Sequence, residues 1–471
     1  MRRPRCQRGI IFVTAMWVTL ILGALVLLFA RSMRVETTAA GNRLAAHQVS
    51  TIELGAEQYV MSAVDGCNGD AVTVLATPAE QLQLGTGYFW ILQAFPTDDS
   101  TYAFGITDES SKLNLNIAGD AELALLPGMT QDVADSIVDW RDTDSNVTGQ
   151  GAESDYYNAL QRPYAAKNAP MESIEEIYLV KGITDEIMWG QDVNHNGVLE
   201  AEEASSGASM GFDGGADSSR GIAPFITVWG KEPNTDANGN PRVNVNPPTD
   251  PNALAAALLK AGLSRTRAAQ VADQARTLAP FKSVFDFAAK VRLTPAEFQL
   301  VADTLTVSTS KTLTGLVNVN TAPSQVLMCL PGLTQSDADA IVAARGAGAS
   351  TASSGTSSAG SLSSSTTTSN TGIAWVATAV TPAKAGGIGA RITGRSYFYS
   401  ADIVAVTGDG RGFKRVRIVL DGRSSPPVVI FRKDLTSAGW PLSPDIRDAL
   451  RNGKPLPAVS GYGTGAVNGI P

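Results

Sequence analysis

The sequence predicts an α+β protein: a long N-terminal helix, an antiparallel sheet, and a large all-helical insert that interrupts the sheet. Three observations predict this. Residues 10–63 contain no proline and begin with an apolar run, so one unbroken helix can pass through them. Segments rich in aromatic and β-branched residues, the composition of strands, stand in two places far apart, before residue 110 and after residue 372. Between them an extended N-x-N segment recurs three times, each copy feeding two short helical stretches across a tight turn, which marks duplicated units. With 471 residues and 44% hydrophobic content, the chain can fill a core even after its first helix is set aside.

Arg2, Arg3, Arg5 and Arg8 crowd the start, and Gly9 ends this basic leader. From Ile10 to residue 30 the chain is uncharged and long enough to cross a bilayer as a helix. Basic residues before the span and a large domain after it predict a cytoplasmic start and an extracytoplasmic body. A secretory signal would have a shorter apolar segment and a small-x-small cleavage site. Here the run continues into Arg31, Ser32, Met33 and Arg34 without one. Helical character persists through Leu44, Val49, Ile52, Ala56 and Val60, giving a rod of roughly 80 Å over residues 10–63 at about 1.5 Å per residue.

Residues 64–110 read as the first part of the sheet, with TGYFWILQAF and STYAFGITDES as strands after a turn at residues 66–70. Residues 111–345 form the helical insert. Its repeats are KLNLN, RVNVN and LVNVN, followed by LALLPGMTQDVADSIVDWR, LLKAGLSRTRAAQVADQAR and VLMCLPGLTQSDADAIVAAR. In the first and third, Ala134, Ile137 and Val138, and Ala338, Ile341 and Val342, fall at helical spacing. SIEEIYLVKGIT adds another short amphipathic helix. Residues 346–372, rich in Ser, Thr and Gly, read as a disordered linker. Residues 373–440 read as the second part of the sheet, with IAWVATAV, RSYFYSADIVAV, KRVRIVLDG and PVVIFRKD as strands, and residues 441–471 as a Gly/Pro-rich tail.

The strongest chemical signal is DVNHNGVLEAEE, residues 192–203, which fits an EF-hand calcium loop. Asp192, Asn194 and Asn196 occupy positions 1, 3 and 5, Gly197 position 6, the Val198 carbonyl position 7, Glu200 position 9 and Glu203 position 12. Calcium takes six to eight oxygens, so short oxygen side chains, a glycine for the sharp turn and a closing carboxylate suit it. A weaker second site repeats the spacing with Asp142, Asp144, Asn146 and Glu153, but Val147 replaces the turn glycine. The metal, Ca2+, would be structural, offsetting carboxylate repulsion and fastening long loops. Asp236, Asn238 and Asn240 lack a closing carboxylate and read as a plain turn.

Two motifs point elsewhere. GASMG, around Ser209, matches a serine-hydrolase elbow, which needs a strand before and a helix after the serine. Ser209 lies in a Ser/Gly stretch, and the two histidines, His47 and His195, fall on the stalk and in the calcium loop, so no enzyme is expected. LPGMT and LPGLT resemble helix-hairpin-helix turns, some of which bind DNA phosphates, yet Thr replaces the second Gly and aspartates follow. The formal charge of −8, more negative once the leader arginines are removed, argues against a nucleic-acid partner. Cys6 lies in the basic leader; Cys67 and Cys329 follow the span, in an expected disulfide-permissive compartment, and sequence admits either a bridge between them or a buried free thiol at Cys329.

A basic leader ending in Gly directly against the apolar run resembles a class III prepilin signal. Cleavage after Gly9 by a prepilin peptidase would make Ile10 the new, methylated amino terminus. Most of that superfamily carries Glu at the fifth mature position, to pair with the subunit ahead; here that position is Thr14. Behind this leader come Asp108, Glu109, Lys112, Leu113, Asn114 and Asn116, then IVDWRD at 137–142, GAESDYY at 151–157, GLVNVNTAP at 315–323 and LPGL at 330–333. In this order they resemble the K-type minor pseudopilin (GspK family) of type II secretion. The resemblance implies a pilin-like sheet on the stalk, interrupted by a SAM-like helical domain. It further implies a tip subunit that initiates and caps the pseudopilus for protein export, single-pass in the cell inner membrane with a periplasmic body. Expected partners are the I-, J- and H-type minor pseudopilins and the major pseudopilin. The rival readings are a DNA-handling pilin-like protein for uptake and a calcium-dependent adhesin anchored by its first helix.

Overall fold

The computed structural model describes residues 8–93, 102–192, 194–198, 221–247, 250–345 and 371–457. Helix α1, Arg8–Val64, runs unbroken for 57 residues. Its lower part is apolar and exposed all round, including Ile11, Phe12, Leu20, Leu27, Leu28 and Phe29. It is a helix long and apolar enough to cross a membrane, with a mean hydropathy of 2.6 over its most apolar window. Higher up, Ala45, Val49, Ile52, Ala56, Val60 and Val64 recur every three or four residues and are buried in one stripe.

That stripe lies on a sheet of six strands: β1 (Leu82–Leu84), β2 (Gly87–Leu92), β3 (Thr107–Asp108), β4 (Phe398–Val406), β5 (Phe413–Asp421) and β6 (Val428–Asp434). The order is β1-β2-β4-β5-β6, all antiparallel, with β3 also beside β4. One half of β4 pairs with β3, through Tyr399 and Ser400, and the other with β2, through residues 402–406. The chain therefore leaves the sheet at β3 and returns at β4 beside its point of departure, with the insert between.

Alternation sorts the side chains of β2 and β4 onto two faces. Phe89, Ile91, Tyr399, Ala401, Ile403 and Ala405 pack with α1, whereas Trp90, Leu92, Val404 and Val406 pack with Leu442, Ile446 and Leu450. The stretch expected to be only a tail thus carries a helix, Pro444–Arg451, that covers the second face. Ser443 caps it, Pro444 opens it, and Ile446, Ala449 and Leu450 fall on its inner side. Helix and sheet are also joined by charge: buried Glu53 of α1 accepts from Lys414 Nζ at 3.0 Å and from Arg432.

Gly87 shows how tightly α1 sits on β2. A Cβ there would lie 2.3 Å from Ile52 Cδ1 and 2.4 Å from the Val406 carbonyl. Gly87→Ala is expected to destabilise the full chain by about 1–3 kcal/mol through overpacking, read by chemical denaturation in detergent. Gly85→Ala serves as the neighbouring contrast, with no atom in its Cβ path but a φ of +61°, so that it strains the turn without separating helix from strand.

The insert contains three parallel two-strand pairings. Leu113–Asn114, Val243–Asn244 and Val317–Asn318 pair with Ile226–Thr227, Leu305–Thr306 and Ile392–Thr393. In every copy the first Asn of N-x-N accepts through Oδ1 from the backbone N–H of the second, at 2.9, 2.9 and 3.0 Å. The second Asn grips the returning chain: Asn116 exchanges two hydrogen bonds with the Met171 backbone, and Asn246 two with Phe281. The closing Thr227, Thr306 and Thr393 each accept from the N–H two residues on, at 3.1 Å. A repeat is thus longer than an N-x-N segment with two helices. It includes a further helical pair and a closing strand.

This corrects the expectation that IAWVATAV is a strand of the main sheet. It contains the helix Val376–Ala379, followed by Pro382–Ile388, and belongs to the third repeat. Buried Val376 and Val380 lie four residues apart, and Thr381 stands before a proline at the first helical position. The main sheet resumes only at Phe398. One buried apolar cluster runs through all three repeats, from Leu113 to Ile392.

Cys67 and Cys329 are free thiols in different layers. Cys67 lies 3.8 Å from the Tyr399 hydroxyl, whereas Cys329 donates to the Gln325 carbonyl at 3.2 Å, and burial pushes its thiol up to about 12. The linker residues 346–370 and the GASMG motif with Ser209 lie outside the described residues.

Candidate metal centres

Gly9 and Ile10, the expected processing site, lie in the first turns of α1. The two expected calcium loops lie in the first repeat. The loop at 192–203 follows the helix Asp185–Trp189, which ends at Gly190 with φ +61°. Its described half is tightly turned. Asp192 accepts from the Asn196 N–H at 3.0 Å and the Gly197 N–H at 2.8 Å, one carboxylate oxygen each. Asn194 Oδ1 accepts from Asn196 N at 3.0 Å, and Asn196 Oδ1 from Val198 N at 2.7 Å. Gly197, with φ +82°, makes the bend that position 6 requires. Asp192, Asn194, Asn196 and the Val198 backbone are therefore gathered in one turn. Glu200 and Glu203 lie outside the described residues.

The loop does not stand alone. Arg415, fully buried on β5, donates to the Asn194 carbonyl at 2.6 Å and to the His195 carbonyl. Through Nε and one Nη the same guanidinium grips both carboxylate oxygens of Asp402 on β4, at 2.9 and 2.8 Å; Arg417 reaches Asp402 at 3.0 Å. Burial pushes the Asp402 carboxyl up, but Arg415 and Arg417 outweigh it and hold the group below the usual carboxylate range. Asn196 Nδ2 donates to the Pro441 carbonyl at 2.9 Å. The His195 ring stacks on Trp189 at 3.8 Å, and burial together with Arg417 and Arg415 lowers its pKa to about 4, so it is neutral at pH 7. The described half of the loop is thus bolted to the sheet by the Asn194 and His195 backbone carbonyls. Sequence reading missed this bolt, whose signal was Asp402, the one charge in β4, set against the basic run of β5.

The second set is arranged differently from its spacing. Asp142 and Glu153 converge, but their third companion is Asp139, on the last turn of the helix Gln131–Arg141. One carboxylate oxygen from each of the three lies within 4.8 Å of the others. Asp139 Oδ2, Asp142 Oδ1 and Glu153 Oε1 are buried without a hydrogen-bond partner. Asp144 turns away: its Oδ1 accepts from the N–H and the amide of Asn146, at 2.7 and 2.8 Å, and both residues are exposed. Lacking a glycine where Val147 stands, the loop does not fold back as an EF-hand. Its turn comes later, at Gly149 with φ +52°. The signal for Asp139 was its position three residues before Asp142, one helical turn away.

Three carboxylates with orphaned oxygens repel one another and lose hydration. Burial and then Asp144 push Asp142 up, and burial is the first cause for Glu153 as well. A hard divalent cation would satisfy all three oxygens at once, and the donor set suits calcium. In both loops the residues present fit such an ion.

A long apolar helix that continues into an antiparallel sheet, interrupted by a helical insert, gives the chain a pilin-like architecture. Comparisons with known proteins narrow this class. The family described as type II secretion system (T2SS), protein K matches through one profile at residues 112–189 and through another at residues 317–373. Type II secretion system protein K of Aeromonas hydrophila is 27% identical over 215 residues, covering 38% of this chain and 61% of that protein. The chain thus matches about three fifths of the length of that relative. A solved structure, the GspK-GspI-GspJ complex of the enterotoxigenic Escherichia coli type 2 secretion system, contains a chain 13% identical at a TM-score of 0.34. That match covers 82% of this chain and 96% of the other. Over its two matched regions the chain is similar to the type II secretion system protein K family. The first region holds Asp139, Asp142 and Glu153, and the second holds the third N-x-N segment.

Proposed function

We propose that this chain is a minor pseudopilin of the type II secretion system, seated at the tip of a periplasmic pseudopilus that it initiates and caps. The observation that carries the reading is the placement of the insert. It emerges between the neighbouring strands β3 and β4, on a helix whose lower half is exposed all round. Such a helix packs among the helices of other subunits, while a body this bulky is accommodated where no subunit follows.

The role is structural. Prepilin peptidase cuts between Gly9 and Ile10, the new amino terminus is methylated, and the single span stays in the inner membrane with its amino terminus cytoplasmic and its body periplasmic. The partners are the I-, J- and H-type minor pseudopilins and the major pseudopilin. Calcium, held by Asp139, Asp142 and Glu153, and by Asp192, Asn194, Asn196, Val198, Glu200 and Glu203, fastens the loops of the insert. The DNA-uptake alternative draws no support from the hairpin turns. Thr130 and Thr334, where a DNA-binding turn has glycine, are N-caps of the following helices, and Asp132 and Asp337 stand beside them.

The test is intact mass and amino-terminal sequence of the membrane-extracted protein, with and without the cognate peptidase, followed by co-purification with the I- and J-type subunits. A start at Ile10 only when the peptidase is present, together with capture of both subunits, is the expected outcome. An uncut Met1, or a cut beyond Ala30, overturns the reading.

A further inference from the structure

Arg447, on the helix Pro444–Arg451, is a guanidinium that feels the charge of Asp448 but forms no ion pair with it. Among the described residues it makes no hydrogen bond or ion pair. Its Nε is buried without a partner, and its contacts are the faces of Phe413 and Trp440, at 5.1 and 5.5 Å from the ring centroids. It lines an open groove of about 480 Å³ whose far wall is the stalk helix, through Asn42, Ala46 and Ser50. The other ionic groups in this groove are engaged. Arg411 pairs with Asp409 and Lys414 with Glu53, and Asp434 accepts from the Thr436 N–H.

We propose that this groove receives the stalk helix of a neighbouring pilin-type subunit, and that Arg447 takes a carboxylate from it. This rests on the pseudopilin reading and names a contact within it. Asn42, Ala46 and Ser50 recur every four residues, so they form a helix face of small and short polar side chains, shaped for close approach by a second helix. The groove also continues a helix that is exposed all round below it, so whatever covers one extends into the other. The charge selects the occupant: an unpaired arginine, half-enclosed by aromatic rings, favours an anion, and its fork fits a carboxylate in two-point contact. A membrane phosphate has the same charge but is out of reach. Asn42 lies about 18 Å along the helix beyond Ala30 at about 1.5 Å per residue, whereas the headgroup layer extends only about 5–8 Å beyond the hydrocarbon.

The test measures association of the full chain, in detergent, with its cognate I- and J-type pseudopilins across a salt series. Arg447→Gln is expected to weaken association about tenfold or more and to flatten its salt dependence. Arg447→Lys keeps the charge and retains most of the binding. Lys454→Gln, exposed just beyond the same helix, leaves it unchanged. Unaltered affinity in Arg447→Gln overturns the proposal while leaving the assembly reading standing. A wild-type chain that binds neither subunit overturns that reading and the contact with it. If Arg447→Gln instead abolishes only binding to vesicles containing phosphatidylglycerol, the occupant is lipid and the proposal falls.

Discussion

Asp402→Ala is expected to destabilise the protein by about 3–5 kcal/mol, because it strands a fully buried guanidinium. In the native protein Asp402 satisfies Arg415 through two hydrogen bonds and Arg417 through a third. Without it Arg415 keeps only the Asn194 and His195 carbonyls, and Arg417 becomes an uncompensated like charge. Those carbonyls belong to the candidate metal loop at 192–203, so the loop loses its anchorage as the strand pair loses its ion pair. Urea denaturation of the full chain measures the first effect and calcium titration the second. Asp421→Ala is the contrast: its pair with Arg423 is partly exposed and is worth about 1 kcal/mol or less. A loss below 1 kcal/mol in Asp402→Ala would sink the argument. The pH dependence has a definite sign. The Asp402 carboxyl is held below its ordinary range, so its contribution is complete above the unfolded carboxylate pKa and is lost as pH falls through the lower, folded value.

How far such features were legible depended on their range in the sequence. The stalk was legible because a helix period and an absence of proline are local properties. The repeat was half legible, since N-x-N is an exact string whereas its closing partners are only an apolar residue and a threonine. Ile226–Thr227, Leu305–Thr306 and Ile392–Thr393 declare their equivalence only once each is seen beside its asparagine strand. IAWVATAV misled because alternating apolar and small residues fit both periods, and tertiary packing of Val376 and Val380 decided for the helix. The helix Pro444–Arg451 was hidden by its neighbours' Gly and Pro content. At the candidate metal centres, spacing placed Asp192, Asn194 and Asn196 in one turn, but it paired Asp142 with Asp144 rather than Asp139. A spacing rule assumes the loop's backbone path, and a valine where the turn needs glycine changes that path.

Calcium should raise the stability of the full chain by about 2.7 kcal/mol per occupied site at a hundredfold excess over its dissociation constant, and EDTA should reverse the gain. The cluster of Asp139, Asp142 and Glu153 allows a sharper form of this expectation. Burial raises the Asp142 and Glu153 pKa values, so without metal the folded state binds protons more readily than the unfolded chain. The metal-free protein is then penalised above the folded pKa values and recovers stability as pH falls through them toward the unfolded ones. With calcium the order reverses, because protonation expels the ion and removes its increment. Thermal unfolding at pH 7 and pH 5, each with calcium and with EDTA, should therefore converge on acidification. Glu153→Gln separates the metal role from a packing role. If Glu153 serves the ion, the variant in EDTA is at least as stable as the wild type, since a like charge has gone, yet it loses that site's calcium increment. Asp192→Asn should remove the increment of the other loop and leave this one intact. Equal melting with calcium and EDTA at both pH values would show that neither loop holds the ion, and the orphaned oxygens of the cluster would then require another cation or a proton shared between carboxylates.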